Sequence, residues 1–426
     1  MSARAVAQPD PAANGPAGAA LSGLLRAIDS GDSAAIHAFA AERYDARHLD
    51  DSGGPPRAVQ RWLEIHQVYG PLEVDSVVEA GAHQVRAWVR GRLTRAWLDF
   101  LVAVDSAPPH RIVRVRLGRG LRPAHAALRR PELRAGDLPG HLAAYLDGLA
   151  REDHFSGVVL VAIEGRTVFE RAYGLADRER GEANAADTRF DLGSVGKVLT
   201  AVAVMQLAEQ GKLSLDDPVS RHVPALPRSV ADRVTVRQLL SHSSGLGELG
   251  PALDSALSVA RTVPEMVALL TDTALAFPPG TGFAYSNRGY LVLGAVIEGA
   301  SGQDYFAYLR EKVFAPAGID RTGFFPQDSA VPGRAARYTR FPGLRSGFVP
   351  GPRRSTSVRL DWRGGPAGGV YSTAGDLAHF VRALQEGRLL GAASLAEMTR
   401  VRGEHPWGYG FQLMAPRGSY GHRGGA

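Results

Sequence analysis

From Val198 to Ala208 nearly every side chain is apolar. A surface helix confines its apolar residues to one stripe, whereas this stretch is apolar all round and must be enclosed on every side if it is helical. It is far too short to cross a bilayer. An enclosed helix requires a large domain around it, and a chain of 426 residues is long enough to build one. Directly before the stretch stand Asp191, Leu192, Gly193, Ser194, Val195, Gly196 and Lys197. A lysine at the foot of an enclosed helix is costly unless its amine is paired. Ser194, one turn earlier, lies on the same face.

The remaining composition narrows the class. Hydrophobic residues at 45% and charged residues at 22% are ordinary for a globular protein, and no apolar run reaches membrane-spanning length. The net charge is +6, but the arginines are scattered (Arg111, Arg114, Arg116, Arg119, Arg129, Arg130, Arg353, Arg354). They are not gathered on one face beside aromatics, which argues against nucleic acid as a partner. With no cysteine there is no disulfide, no thiolate ligand and no thiol nucleophile. The thirteen histidines contain no metal-ligand pattern such as H-E-x-x-H, so no metal is expected. Residues 1–20 are rich in Ala, Pro and Gly and read as a disordered tail. Ala5-Val6-Ala7 has the form of a cleavage site, but no apolar segment precedes it, so there is no complete signal peptide and the compartment is left open.

Periodicity divides the rest. Leu21, Leu24, Leu25 and Ile28 follow helical spacing, as do Ile36 with Phe39 and Val59 with Trp62, Leu63 and His66. The period then changes to two at Val85, Ala87 and Val89, at Leu98, Phe100, Val102 and Val104, and at Val113, Val115 and Leu117. Helices followed by an antiparallel meander define a small α+β domain over 21–117. Through the turn at Ala27-Ile28-Asp29-Ser30-Gly31-Asp32 it resembles NTF2-like, cone-shaped domains. No convergent polar set marks a ligand site there, so packing or homodimerisation is its expected role. A linker rich in Arg, Pro and Gly covers 118–140. Beyond it, 157–163 and 167–173 read as a strand pair joined by Glu164-Gly165-Arg166. The region 141–426 is expected to be α+β: an antiparallel sheet flanked by helices, plus a mostly helical subdomain.

Three clusters carry chemistry. Burial of Lys197 favours its neutral amine, which can take the Ser194 proton, and the helix N-terminus favours the resulting negative charge. The alternative is that Ser194 is a helix cap and Lys197 a snorkelling surface residue. Pro278-Pro279-Gly280-Thr281 precedes Tyr285 and Asn287, a phenol and a carboxamide fit for a proton relay and for donating to a substrate carbonyl; the alternative is a buried tyrosine that only satisfies a backbone group. Last come Tyr420, Gly421, His422, Arg423, Gly424, Gly425 and Ala426, where glycines allow a substrate backbone to approach an edge strand.

In this order the clusters resemble the serine β-lactamase and penicillin-binding-protein superfamily, in its class C-like branch of esterases, DD-peptidases and D-aminopeptidases. The segments 211–218, 234–246 and 365–377 add to the likeness. The resemblance implies Ser194 as the acylated nucleophile, Lys197 as its activator and Tyr285 as proton shuttle. It implies Asn287, His422, Arg423, Gly424 and Gly425 as substrate-binding residues, with the amides of Ser194 and Gly425 forming the oxyanion hole. His422 and Arg423 stand where relatives carry K-T-G or H-x-G. A histidine holds no fixed charge at neutral pH, which points to an esterase or D-amino-acid peptidase rather than a dedicated β-lactamase. Arg423 is placed to clamp a substrate carboxylate. Implied partners are small esters, amides or D-peptides, with no cofactor. His242 reads as a packing residue, and Thr235 and Thr373 as helix caps, the latter with Asp376 at capping-box spacing. Relatives are often periplasmic or secreted, and they continue past the last motif with further strands and a helix, so this chain is expected to lack them. A second reading is a catalytically weak or inactive penicillin-binding-like binding or sensor module. A phosphate loop is excluded, because Asp191 and Val198 stand where Gly and Ser or Thr are required.

Overall fold

In the computed structural model the described residues are 15–46, 54–93, 97–119, 136–151, 153, 155–247, 253, 256–257, 259–270, 274–325, 331–339, 354–355, 364–402, 405–414 and 419–425. They divide into two compact units, the first of residues 1–132 with 339–354 and the second of 133–338 with 355–426.

The first unit opens with α1 (Gly15–Asp29), α2 (Ser33–Arg43) and α3 (Gly54–Tyr69). An antiparallel sheet follows in the order β1 (Leu72–Ala80), β2 (Gln84–Gly91), β3 (Trp97–Val104), β4 (Ile112–Arg119). The expected tail over 1–20 needs correction at its end, because α1 begins at Gly15. Ala17 and Ala20 are buried with Leu21, Leu24 and Ile28; alanine favours helix and lets neighbouring elements approach closely, while contributing little hydrophobic signal. Residues 1–14 lie outside the described set, as do 120–135 of the expected linker. The alternating residues of β2 and β3 (Val85, Ala87, Val89, Leu98, Phe100, Val102) share one core with the helices, and Trp62 stacks on Phe100 at 6.1 Å. At the α1–α2 turn Gly31 has φ +60°, and a Cβ there would stand 2.8 Å from His66 Nε2, so only glycine fits. Asp32 caps α2 through the Ala34 amide.

The second unit begins with α4 (Leu138–Arg151), followed by the hairpin β5 (Gly157–Ile163) and β6 (Arg166–Tyr173). The hairpin turn is Glu164-Gly165, both at positive φ, as tight two-residue turns of matching twist require. The centre of the unit is α5 (Gly196–Glu209), buried continuously from Gly196 to Leu207. Each large apolar side chain so enclosed contributes about 1.5–3 kcal/mol, which explains why this segment forms the axis of the core. Thr200, its fully buried hydroxyl residue, is satisfied by Pro366 O and Tyr305 Oη, both at 2.8 Å. Around α5 pack α6 (Val236–Leu240), α7 (Asn287–Ser301) and α8 (Tyr305–Leu309), with α9 (Ala374–Gln385) further along the chain. Thr235 caps α6 with a complete capping box to Gln238. Thr373 caps α9 through the Asp376 amide, but the Asp376 carboxylate turns to Arg321 N and Thr322 Oγ1. Among the described residues the strands of this unit pair two by two. Besides the hairpin these include β7 (Phe190–Asp191) with β8 (Tyr371–Ser372), and β9 (Gln412–Met414) with β10 (Ser419–Gly421).

Candidate active site

The site is built where α5 begins. β7 delivers the chain to a single 3-10 turn, Gly193–Val195, which runs straight into α5. Gly193 has φ +49°, and a Cβ on it would lie 2.3 Å from Gly425 O. Gly368 packs against the same turn, where a Cβ would lie 2.6 Å from Gly193 O. A Cβ on Gly424 would lie 2.0 Å from Leu192 O. Three close backbone approaches therefore bring residues 424–425 and the 365–369 segment onto Leu192 and Gly193, the two residues preceding Ser194. They also set the Ser194 and Gly425 backbones beside each other.

Lys197 is completely buried. Its Nζ reaches Ser194 Oγ at 3.2 Å, Asn287 Oδ1 at 2.7 Å and Ala367 O at 2.5 Å. The capping alternative does not hold: Val195 is the N-cap of α5, no side chain caps that end, and Lys197 does not snorkel. Asn287 is the first residue of α7, placed there by Ser286, whose hydroxyl accepts the Gly289 amide at 3.0 Å. Tyr285 lies just outside that cap, with its ring centroid 4.9 Å from Lys197 Nζ. The segment carrying Tyr285 is zipped to the end of α6, through Gly280 N to Ser243 O at 2.8 Å and Ala284 N to His242 O at 3.0 Å.

Two histidines flank this group, both neutral at ordinary pH. His242 packs at 4.5 Å against the Tyr285 ring and at 5.1 Å against that of Tyr290. Its Nδ1 accepts the Ser286 amide at 3.1 Å, which leaves the proton on Nε2. Burial, with Lys197 nearby, brings its pKa down to about 3, so it packs rather than acting as a base. His422 donates from Nδ1 to Arg423 O at 2.6 Å, leaving Nε2 as a bare acceptor with no partner among the described residues. Burial, assisted by Lys197, lowers its pKa to about 4. Trp407 joins the clusters, 5.5 Å from the Tyr285 ring and 5.4 Å from that of His422.

The structure thus brings together Ser194, Lys197, Tyr285, Asn287, Gly424 and Gly425, with His422 alongside. Arg423 is exposed, and its carbonyl accepts the His422 Nδ1–H. Sequence reasoning missed Ala367, Asp191 and Trp407. A backbone carbonyl such as that of Ala367 leaves no mark in side-chain chemistry; Asp191 and Trp407 stand next to recognised segments and could have been marked by position. Among the described residues no group of His, Asp or Glu is arranged to hold a metal, and no helix is long and apolar enough to cross a membrane.

Residues 142–426 match the family described as Beta-lactamase. The chain belongs to the beta-lactamase family. It is 33% identical over 308 residues to penicillin-binding protein 4 of Amycolatopsis lactamdurans, covering 67% of this chain and 78% of that protein. It is 37% identical over 219 residues to the esterase EstB of Burkholderia gladioli, covering 47% of this chain and 56% of the esterase. The D-amino acid amidase of Ochrobactrum anthropi SV3, solved with L-phenylalanine, superposes with a TM-score of 0.55 at 27% identity, over 65% of this chain and 82% of that one. The family is one of serine hydrolases, and its members here include an esterase, a penicillin-binding protein and an amidase.

Proposed function

We propose that the chain is a serine hydrolase that opens small esters or amides through an acyl-enzyme on Ser194. The observation that carries this reading is the fully buried Lys197 amine, 3.2 Å from Ser194 Oγ. A neutral amine has two N–H bonds and one lone pair. Asn287 Oδ1 and Ala367 O, the two nearer acceptors, take the N–H bonds, and the lone pair is then left facing the Ser194 hydroxyl. Ser194 Oγ attacks the substrate carbonyl as its proton passes to Lys197. The amides of Ser194 and Gly425 hold the oxyanion. Tyr285, against Lys197, relays the proton to the departing alcohol or amine as the bond from carbon to the leaving group breaks. Water then attacks the ester, releases the acid and restores the Ser194 proton. Asn287 and the backbone at Gly424 and Gly425 orient the substrate amide.

The substrate is of the esterase or D-amino-acid amidase and peptidase type rather than a β-lactam. Neutral His422 offers an acceptor to an N–H or O–H donor instead of a cation to a carboxylate. Phe283, stacked on His405 at 4.3 Å, continues the aromatic wall of Trp407 and Tyr285, which suits a planar or apolar substrate group. Self-association through the first unit is part of the proposal; Val78 and Val113 are exposed there, and light scattering that finds only monomer removes it.

Labelling with a fluorescent fluorophosphonate and with a penicillin probe tests the reading. Labelling of the wild type that disappears in Ser194→Ala is expected. A folded wild type that neither probe labels rejects it, and labelling that persists in Ser194→Ala moves the nucleophile elsewhere.

A further inference from the structure

Asp191 plays no part in the chemistry above, yet it is among the most enclosed carboxylates near Ser194. Its side chain is 4% exposed. Oδ1 accepts the Gly193 amide at 2.8 Å, and Oδ2 faces Arg337 Nη1 at 3.1 Å. Assembling a buried carboxylate–guanidinium pair costs desolvation that the attraction seldom returns with profit. Burial indeed pushes the Asp191 carboxyl above the usual carboxylate range, against the opposing pull of Gly193 N–H and Arg337. Stability is therefore a poor explanation for the pair.

Backbone geometry supplies a better one. The Gly193 carbonyl accepts Gly369 N–H at 3.3 Å, while Leu192 N–H is held on Val370 O at 2.9 Å. In a trans peptide the carbonyl and the following N–H point in opposite directions. Anchoring Gly193 O on Gly369 therefore aims Ser194 N–H away from the 365–370 segment. Gly425 lies against Gly193, so the two proposed donors are neighbours. Gly193, at φ +49°, is the most adaptable residue of the turn, and the Asp191 bond removes its remaining freedom at the amide end. Arg337 is itself held by its segment: Ala335 N bonds Arg189 O at 2.9 Å and Ala336 N bonds Ala176 O at 2.8 Å.

We propose that Asp191, braced by Arg337, is a positioning residue that sets the Gly193–Ser194 peptide so that Ser194 N–H meets the developing oxyanion. The proposal rests on the reading of Ser194 as nucleophile. Its effect falls on the transition state and not on substrate binding, because a ground-state carbonyl uses the same donor weakly.

The test compares a p-nitrophenyl ester with its thiono analogue, on the full chain, for wild type, Asp191→Asn and Asp191→Ala, with Ser194→Ala as blank. Sulfur accepts hydrogen bonds poorly, so an aligned oxyanion hole favours the oxygen ester. Asp191→Ala is expected to lower kcat on the oxygen ester about 100-fold, the size of effect seen when one oxyanion donor is lost. KM stays nearly constant, the thiono rate falls much less, and the oxygen-to-thiono ratio collapses. Asp191→Asn keeps an acceptor for Gly193 and recovers part of the rate; it also carries the test if the alanine variant does not fold. Equal losses on both esters, or none, overturn the proposal. A wild type that hydrolyses neither ester removes the nucleophile reading, and this assignment with it.

Discussion

Lys197 and His422 are two basic side chains at one site, and the fold treats them in opposite ways. Lys197 is enclosed completely, with Asn287 Oδ1 and Ala367 O as acceptors and Ser194 Oγ at 3.2 Å. His422 is enclosed less completely, keeps one nitrogen without a partner among the described residues, and is pushed towards neutrality by burial and by Lys197. On the proposed reading the Lys197 amine is neutral and activates Ser194, and neutral His422 puts no cation on the strand proposed to meet the substrate. The proposed nucleophile needs an activating amine, whereas the strand carrying His422 is proposed to select the substrate. Separating the two lets one cluster keep its chemistry while the other sets specificity.

The largest effect that tests this contrast comes from Lys197→Met. Removing the amine is expected to slow acylation by a factor of about 100 to 10,000, the range for loss of a positioned general base. Stability should change little by comparison, because the thioether avoids the cost of burying an amine while leaving Asn287 Oδ1 and Ala367 O short of a donor. Stopped-flow labelling and a thermal melt read the two effects separately. The same variant sharpens the comparison: with a neutral Lys197 the pKa of His422, followed by NMR, should stay near its value of about 4, set first by burial. A rise would place positive charge on the resting amine and count against the neutral general base.

The two clusters were also legible in the sequence to different degrees. Ser194 and Lys197, like Tyr285 and Asn287, lie a few residues apart on elements whose start is marked by a cap or an enclosed apolar run, so their spacing already carries their geometry. Gly424 was legible because a Cβ there would stand 2.0 Å from Leu192 O, whereas Gly425, where a Cβ would meet nothing within 4 Å, was marked only by its place in the motif. What joins these pieces comes from long range and leaves no local pattern: the Ala367 carbonyl on Lys197, Trp407 between Tyr285 and His422, and Arg337 on Asp191. In the first unit β1 escaped notice for a related reason. Register shifts between Val74 and Ser76 and between Val77 and Glu79 break the alternation by which a strand is recognised. Ala17 and Ala20 were assigned to a tail because alanine reports helix propensity more than burial.

A second prediction concerns stability and pH. The pKa of His242 is lowered from 6.5 in the open chain to about 3 when folded. Between those values the unfolded state binds more protons than the folded one, so stability falls as pH falls from 6.5 towards 3. The slope for this one group is about 1.4 kcal/mol per pH unit. His242→Asn keeps an acceptor for Ser286 N–H and tolerates the φ of +57° at this position, so urea melts of that variant should lose this component of the acid slope. An unchanged slope would place the acid sensitivity in another group, with His422 the next to test.

A smaller effect reverses the comparison directly. His422→Lys puts a cation on the strand proposed to meet the substrate. Rates on esters that carry a carboxylate should rise roughly tenfold relative to neutral ones, worth about 1.4 kcal/mol, while labelling of Ser194 by a neutral fluorophosphonate changes little. If neutral and anionic substrates respond alike, His422 does not govern charge selection.

The smallest effect belongs to Arg423. The guanidinium is chemically suited to a carboxylate, and its place beside His422 makes it the other candidate for recognising an anion. It is nevertheless exposed, and an ion pair formed in water gains only about 0–1 kcal/mol, which corresponds to at most a fewfold change in rate. Arg423→Ala should therefore reduce kcat/KM for anionic substrates less than fivefold at low salt, a difference that should fade as ionic strength rises. Neutral substrates should be unaffected. A large loss that persists in salt would mean that substrate binding buries Arg423. The strand beside Ser194 would then hold a positive point after all, and the proposed division between an activating cluster and an uncharged recognition strand would apply only to the empty site.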